Sequence, residues 1–186
     1  MACEIEMKVW VEDWDQLRKR LHRTCRFLGV VRKEDHYYRH QSDTSTKSYG
    51  FRIRTGGPDT VVTYKARSTR EGVERNAEHE FRVSDAGEFA GFATHIGCSE
   101  YFMKLKEGEE FESGGLTIGL FHVAGIGDFL EIEAIIDDDD PDRNDRRREA
   151  AVRQVRAFFE SVGMARARVE SRPYVELAAE RSPQTD

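Results

Sequence analysis

Cysteine is scarce in this chain: Cys3, Cys25 and Cys98 are the only three among 186 residues. An odd number without CxxC spacing excludes a disulfide framework and a Cys-based zinc site, and reads as free thiols in a reducing compartment. Long apolar runs are missing as well. No stretch approaches the roughly 20 residues that a membrane-spanning helix needs. The acidic opening Met1 to Glu6 has none of the character of a signal peptide. The expectation is a soluble, cytoplasmic protein with no membrane partner. Positive charge is not in excess either: 29 Lys and Arg stand against 35 Asp and Glu, a formal net charge of -6. That excludes a general nucleic-acid binder, which would be basic, and leaves room for a local basic pocket inside an acidic shell. What is present suits a folded chain, with 38% hydrophobic and 34% charged residues. The length matches one domain of ordinary size, able to bury a core without disulfides or metals.

The order of elements follows from periodicity. Glu4 to Val11 alternates charged and apolar residues, the mark of a strand. Trp14, Leu17, Leu21, Cys25 and Leu28 then share one helical face, with Asp13 as N-cap and Gly29 as the stop. Strands are expected at 35–41, 49–55, 60–67 and 77–83, the middle two forming a hairpin across Thr55–Asp59. A second helix is expected from Ala86 to Ile96, opened by Asp85 and Glu88. Further strands follow at 100–106, 116–122 and 128–136, with Gly114, Gly115, Gly125 and Gly127 as breakers. Ala151, Val155, Phe158, Phe159 and Val162 make the stripe of a third helix ended by Gly163, and a short strand is read near 166–171. The whole is a single α+β domain over residues 1–179 with about eight antiparallel strands, then a polar tail at 180–186.

The informative feature is which residues share a strand face. Positions i, i+2 and i+4 point the same way. Glu4, Glu6 and Lys8 therefore oppose Ile5, Met7 and Val9; Arg52 and Arg54 oppose Phe51 and Ile53. Lys65 and Arg67 oppose Tyr64 and Ala66, and Glu78, Glu80 and Arg82 oppose Phe81 and Val83. Lys104 and Lys106 oppose Met103 and Leu105, and Glu131 and Glu133 oppose Leu130 and Ile132. Strand by strand, this alternation also describes a sheet with its charged face in water. Three amphipathic helices, however, need an apolar sheet face to cover, and they can cover the outer one only if the sheet curls. The charged face then lines a barrel or tunnel. Charges on that scale cannot sit dry, because an unpaired buried ion costs several kcal/mol. A polyanion with divalent metals balances them: carboxylates gather Mg²⁺ or Mn²⁺, and Arg and Lys grip phosphate oxygens.

Glu4-Ile5-Glu6-Met7-Lys8 resembles the N-terminal ExExK signature of the CYTH superfamily, the triphosphate tunnel metalloenzymes. The resemblance continues in order through Asp35-His36-Tyr37-Tyr38, Phe51-Arg52-Ile53-Arg54, Thr63-Tyr64-Lys65, Glu78-His79-Glu80, Lys104-Leu105-Lys106 and Gly125 to Glu133. Ser171-Arg172-Pro173-Tyr174-Val175-Glu176-Leu177 is similar to the ending of the class IV adenylyl cyclase branch, which also neighbours the thiamine triphosphatases. The resemblance implies an eight-stranded antiparallel β-barrel, the triphosphate tunnel, with helices outside. It implies that Glu4, Glu6, Glu131 and Glu133 bind Mg²⁺ or Mn²⁺. Lys8, Arg52, Arg54, Lys65, Lys104, Lys106 and Arg82 would bind the triphosphate, the first four also offsetting charge during the reaction. Glu78 and Glu80 would support their basic neighbours. Homodimers are common in the family.

Two departures bear on the reaction. The family's Lys-x-Arg pair is Lys104-x-Lys106, so a forked guanidinium has become a point charge. Where the cyclase branch carries an Asp, this chain has Phe121. The expectation is hydrolysis of inorganic, thiamine or nucleoside triphosphate. The alternatives are cyclisation of ATP to cyclic AMP and pyrophosphate, or a tunnel that binds a phosphorylated ligand without turnover. Asp137 to Asp140 and Arg146 to Arg148 read as solvated runs. Tyr37, Tyr38 and Tyr49 read first as strand packing residues rather than a base-binding mouth.

Overall fold

A computed structural model describes residues 2–42, 50–70, 73–137 and 141–181, with side chains at 4–42, 50–64, 79–136 and 146–181. The elements run β1 (Ala2–Trp10), α1 (Trp14–Thr24), β2 (Arg26–His40), β3 (Phe51–Thr55), β4 (Thr60–Arg70), β5 (Val73–Val83) and α2 (Ala86–His95). They continue with β6 (Cys98–Ser113), β7 (Leu116–Val123), β8 (Gly127–Asp137), α3 (Pro141–Ser161) and α4 (Tyr174–Arg181). The strands form an antiparallel barrel in the order β1-β5-β4-β3-β2-β6-β7-β8, with β8 pairing back onto β1. Among the described residues no helix is long and apolar enough to cross a membrane.

The chain divides into two compact units. The first comprises Met1–Val31, Arg67–Ala77 and Glu107–Asp186. Here the apolar rows of three strands meet: Ile5, Met7 and Val9 from β1, Leu116, Ile118 and Leu120 from β7, and Leu130, Ile132 and Ala134 from β8. Leu17 and Leu21 of α1, with Ala151, Val155 and Phe159 of α3, cover them. Each fully buried Leu, Ile or Phe contributes about 1.5–3 kcal/mol relative to exposure. Asp13 caps α1 by accepting from the Gln16 amide at 3.0 Å. Glu109 of β6 ties the helix down, taking the Arg18 guanidinium at 2.9 Å and lying 2.8 Å from the His22 ring nitrogen. Gly114 and Gly115 both have positive φ, which lets β6 turn tightly into β7.

The second unit comprises Arg32–Ala66 and Glu78–Lys106. Its apolar core joins Tyr38, Ile53, Val62 and Cys98 to Phe89 and Ala93 of α2. Phe51 stacks on Tyr38 at 5.2 Å and receives the edge of Phe89 at 5.7 Å. Asp85 caps α2 through the Glu88 amide at 2.9 Å.

Several boundaries differ from the periodicity reading. Helix α1 stops at Thr24, four residues short of Leu28, because Cys25 is already extended (φ -123°, ψ 157°). The chain enters β2 at once, where Phe27 packs 5.5 Å from Phe111 and Val30-Val31 suit a strand. Strand β6 runs well beyond 106, to Ser113. The strand read near 166–171 is a single bridge, Val9 to Val169. Residues 174–181 form a helix that the motif reading did not anticipate; Pro173 starts it by accepting from Glu176 and Leu177.

Ile118→Ala, at a fully buried position, is expected to lower unfolding free energy by about 2–5 kcal/mol. Val30→Thr, at a position 77% exposed, should change it by about 0.5 kcal/mol or less. Urea denaturation of the two variants checks the assignment of the core.

Candidate functional site

In the first unit the charged residues of β1 and β8 lie on the face turned away from α1 and α3. Register makes the arrangement specific: Glu6 stands directly opposite Glu133, and Lys8 directly opposite Glu131. Glu4 lies two residues along from Glu6 on the same face. Lys8 and Glu131 are buried, while Glu4, Glu6 and Glu133 are half-buried. Tyr174 of α4 donates its hydroxyl to Glu131, and the Lys8 ammonium lies 5.2 Å from the centre of the Tyr174 ring. Like charges directly across a strand pair repel, so the Glu6–Glu133 pairing calls for a nearby cation.

This donor set fits a hard divalent ion in kind: all of its groups are carboxylate oxygens. Among the described residues no three His, Cys, Asp or Glu side chains close around one point. Mg²⁺ keeps several waters and binds through one or two carboxylates plus substrate phosphates, not a full protein cage.

In the second unit three cations converge on Asp35, which is wholly buried on β2. Arg54 forks onto it with Nε at 2.6 Å and Nη2 at 3.0 Å. Lys104 Nζ lies 3.0 Å away and Arg52 Nη1 3.5 Å away. Burial pushes the Asp35 carboxyl up, but Lys104, Arg54 and Arg52 outweigh it and hold the group far below the ordinary carboxylate range. Burial likewise works against the charged form of Lys104, yet Tyr37, whose hydroxyl is 3.1 Å away, and Asp35 leave it more basic than usual. A second chain of bonds orients Arg52. Its Nη2 donates to the Thr63 hydroxyl at 2.9 Å, which donates to Glu80 at 2.8 Å. Among the described residues, the buried Nε of Arg52 finds no acceptor.

Strand β6 shows the inversion most directly. Lys104 and Lys106 are each 6% exposed, while Met103, which precedes them on the opposite face of the strand, is 50% exposed. The lysines sit inside and the methionine outside. Arg82 stands apart from the cluster: its side chain is 76% exposed and pairs with Asp59 at 3.2 Å. Glu80 keeps its supporting position beside Arg52, at 3.6 Å, with its side chain 49% exposed. Lys65 and Glu78 lie on β4 and β5, but their side chains are outside the described residues, as are those of Arg67, Tyr49 and Asp137 to Asp140.

No protein-family model matches this chain, and no curated protein matches it. Solved structures do. The PH1819 protein of Pyrococcus horikoshii OT3 is similar, with a TM-score of 0.78 and 25% identity over 95% of this chain and 98% of that one. So is a putative adenylate cyclase of Vibrio parahaemolyticus, with a TM-score of 0.74 and 18% identity over 95% of this chain and 97% of the other. The putative adenylyl cyclase HpAC1 from Hippeastrum, described as revealing a dominant triphosphatase activity, aligns at a TM-score of 0.62 and 15% identity over 97% and 96%. The chain has their fold. This agrees with the resemblance to the triphosphate tunnel superfamily that the ordered motifs carry.

Asp35, Thr63 and Tyr174 stand within the quoted motifs but had no site role assigned in the sequence reading, and Tyr37 was read there as a packing residue. Asp35 and Tyr37 were findable: they share a face of β2, and Asp35 stands directly across from Arg54 in register. Asp35→Asn should destabilise the fold by about 3–5 kcal/mol, because the cations lose the carboxylate they share. A depressed carboxyl pKa contributes stability above the unfolded value of about 3.9, and loses it as pH falls below that. Equilibrium unfolding from pH 7 down to pH 3 should therefore show a steeper acid loss for the native protein than for Asp35→Asn.

Proposed function

We propose that this chain is a divalent-metal-dependent enzyme that binds the triphosphate group of a small molecule and hydrolyses it. The observation that carries the reading is the Asp35 cluster. Three cations share one buried carboxylate, and among the described residues the Arg52 Nε is a buried donor without an acceptor. Phosphate oxygens supply acceptors to such forks, and their charge offsets that of the cations. Arg52, Arg54, Lys104 and Lys106, with Lys8 and Lys65, are assigned to the triphosphate. Glu4, Glu6, Glu131 and Glu133 are assigned to Mg²⁺ or Mn²⁺. A bound ion of this kind would supply Lewis-acid chemistry, lowering the charge that repels a nucleophile.

Phosphoryl transfer is mostly positioning and charge stabilisation. The cations hold the chain of phosphates in one geometry and stabilise charge as a water oxygen bonds to the terminal phosphorus and the bridging oxygen leaves. Phe121 supports hydrolysis over cyclisation. It is buried where the cyclase branch carries a carboxylate, and its ring packs into the space left by the missing side chain of Gly119. Gly119 stands directly opposite Glu131, so an aromatic ring occupies the neighbourhood in which a further carboxylate would sit. The structural likeness to HpAC1 points the same way.

Incubation with inorganic triphosphate, thiamine triphosphate and ATP, each with Mg²⁺ or Mn²⁺, should release orthophosphate and no cyclic AMP. Cyclic AMP with pyrophosphate would instead establish a cyclase. Glu6→Gln should abolish metal-dependent turnover, and Arg52→Ala should slow it by about 10²–10³-fold. Full metal-dependent activity in Glu6→Gln would sink the carboxylate assignment.

A further inference from the structure

The C-terminal segment enters the first unit as a strap. Strand β8 occupies one edge of β1 from Ala2 to Trp10, and the register of β5 on the other edge ends at Glu6. Beyond that point the vacated edge is taken by residues 168–170. The Trp10 amide donates to the Arg168 carbonyl at 3.1 Å, and the Glu170 amide donates to the Lys8 carbonyl at 2.9 Å. The strap is thus bonded to the backbone of Lys8 itself.

An ion pair between the buried Glu170 and the half-buried Arg172 locks it. Glu170 takes the Trp10 indole N–H at 3.2 Å and a fork from Arg172, Nε at 2.9 Å and Nη2 at 2.7 Å. Those Arg172 bonds, against the opposing effect of burial, lower the Glu170 carboxyl to about 2. Arg172 also reaches Glu180 on α4 at 2.6 Å, which fixes the start of the helix relative to its end. Leu177 anchors α4 among Val123, Ile126 and Phe129. The product of this scaffolding is the placement of one side chain. The Tyr174 ring meets the face of Phe129 edge-on at 5.0 Å, lies beside the Lys8 ammonium, and delivers its hydroxyl to Glu131.

We propose that Tyr174 is a positioning residue that fixes the Glu131 carboxylate and the Lys8 ammonium for metal and phosphate, with Glu170 and Arg172 acting through it. Strand geometry sets where the Cβ of Glu131 stands but not where its carboxylate points. A hydrogen bond from outside the strand pair supplies that orientation, as outer partners do for metal-binding carboxylates generally. The inference rests on the reading of Glu131 as a metal ligand.

The test is Mn²⁺ titration of the purified full chain by electron paramagnetic resonance, without substrate, alongside steady-state kinetics on inorganic triphosphate. Tyr174→Phe removes only the hydroxyl and keeps the ring on Phe129. Its Mn²⁺ affinity should fall by about 10–100-fold, with kcat reduced more than KM is raised and with an unchanged melting temperature. In a Glu131→Gln background the same change should add no further loss. Arg172→Gln, which releases the strap without altering the tyrosine, should also weaken Mn²⁺ binding. Undiminished Mn²⁺ affinity in Tyr174→Phe or Arg172→Gln, while Glu131→Gln binds weakly, would overturn the positioning role and leave the site reading intact. Normal Mn²⁺ binding in Glu131→Gln would sink the site reading and this inference together.

Discussion

A lysine or arginine withdrawn from water must find negative charge or give up several kcal/mol. Among the described residues this protein withdraws four of them, Lys8, Arg52, Lys104 and Lys106. The rest of the structure is arranged around that demand. Asp35 is buried because three cations need it, and it stays ionised because they surround it. Thr63 and Glu80 exist in the same network to aim Arg52. Glu131 stands opposite Lys8 in register for the same reason. Such clusters do not hold a fold together. They are tolerated because something else does.

That something is the opposite row of each strand. Ile5, Met7 and Val9 alternate with Glu4, Glu6 and Lys8, so one strand serves both a core and a charged face. Helices α1 and α3 in the first unit, and α2 in the second, claim the apolar rows. The period of two makes the division strict. A one-residue slip of β1 against β8 would exchange Lys8 with Val9 and place a charge under α3. Register is therefore fixed by the hydrophobic side, and the geometry of the charged side follows from it.

That logic explains what was legible beforehand. The alternation, the stripe of α1 through Leu17 and Leu21, the stripe of α3 and both aspartate N-caps depend on residues close in sequence, and the structure has them. The charged faces of β1, β3, β6 and β8 were legible for the same reason. Arg82 shares the alternation of Glu80, yet it sits out in solvent on Asp59, because a face assigned by period says nothing about where along the barrel the strand leaves the core. Asp35 was quoted within a motif but given no role of its own, because its partners come from β3 and β6, 19 and 69 positions away. Helix α1 was drawn too long because Leu28 fits its stripe; the competing claim of β2 on Phe27 is invisible without the partner Phe111.

The two units meet the same difficulty by different means. In the second, cations are held by charge: a buried carboxylate at hydrogen-bond distance, whose removal leaves like charges facing each other. In the first, Lys8 lies against an aromatic ring and Glu131 accepts from a phenol, both from Tyr174, which is neutral and arrives from the far end of the sequence. A charge partner stabilises a cation strongly and competes with an incoming anion for it. A tyrosine orients Lys8 and Glu131 without adding a further charge to the pair that register already brings face to face. The first arrangement holds its guanidinium and ammonium groups in place before any phosphate reaches them. The second sets the direction of an ammonium and a carboxylate with a neutral group, and it explains why so much of the C-terminal segment is devoted to placing a single ring.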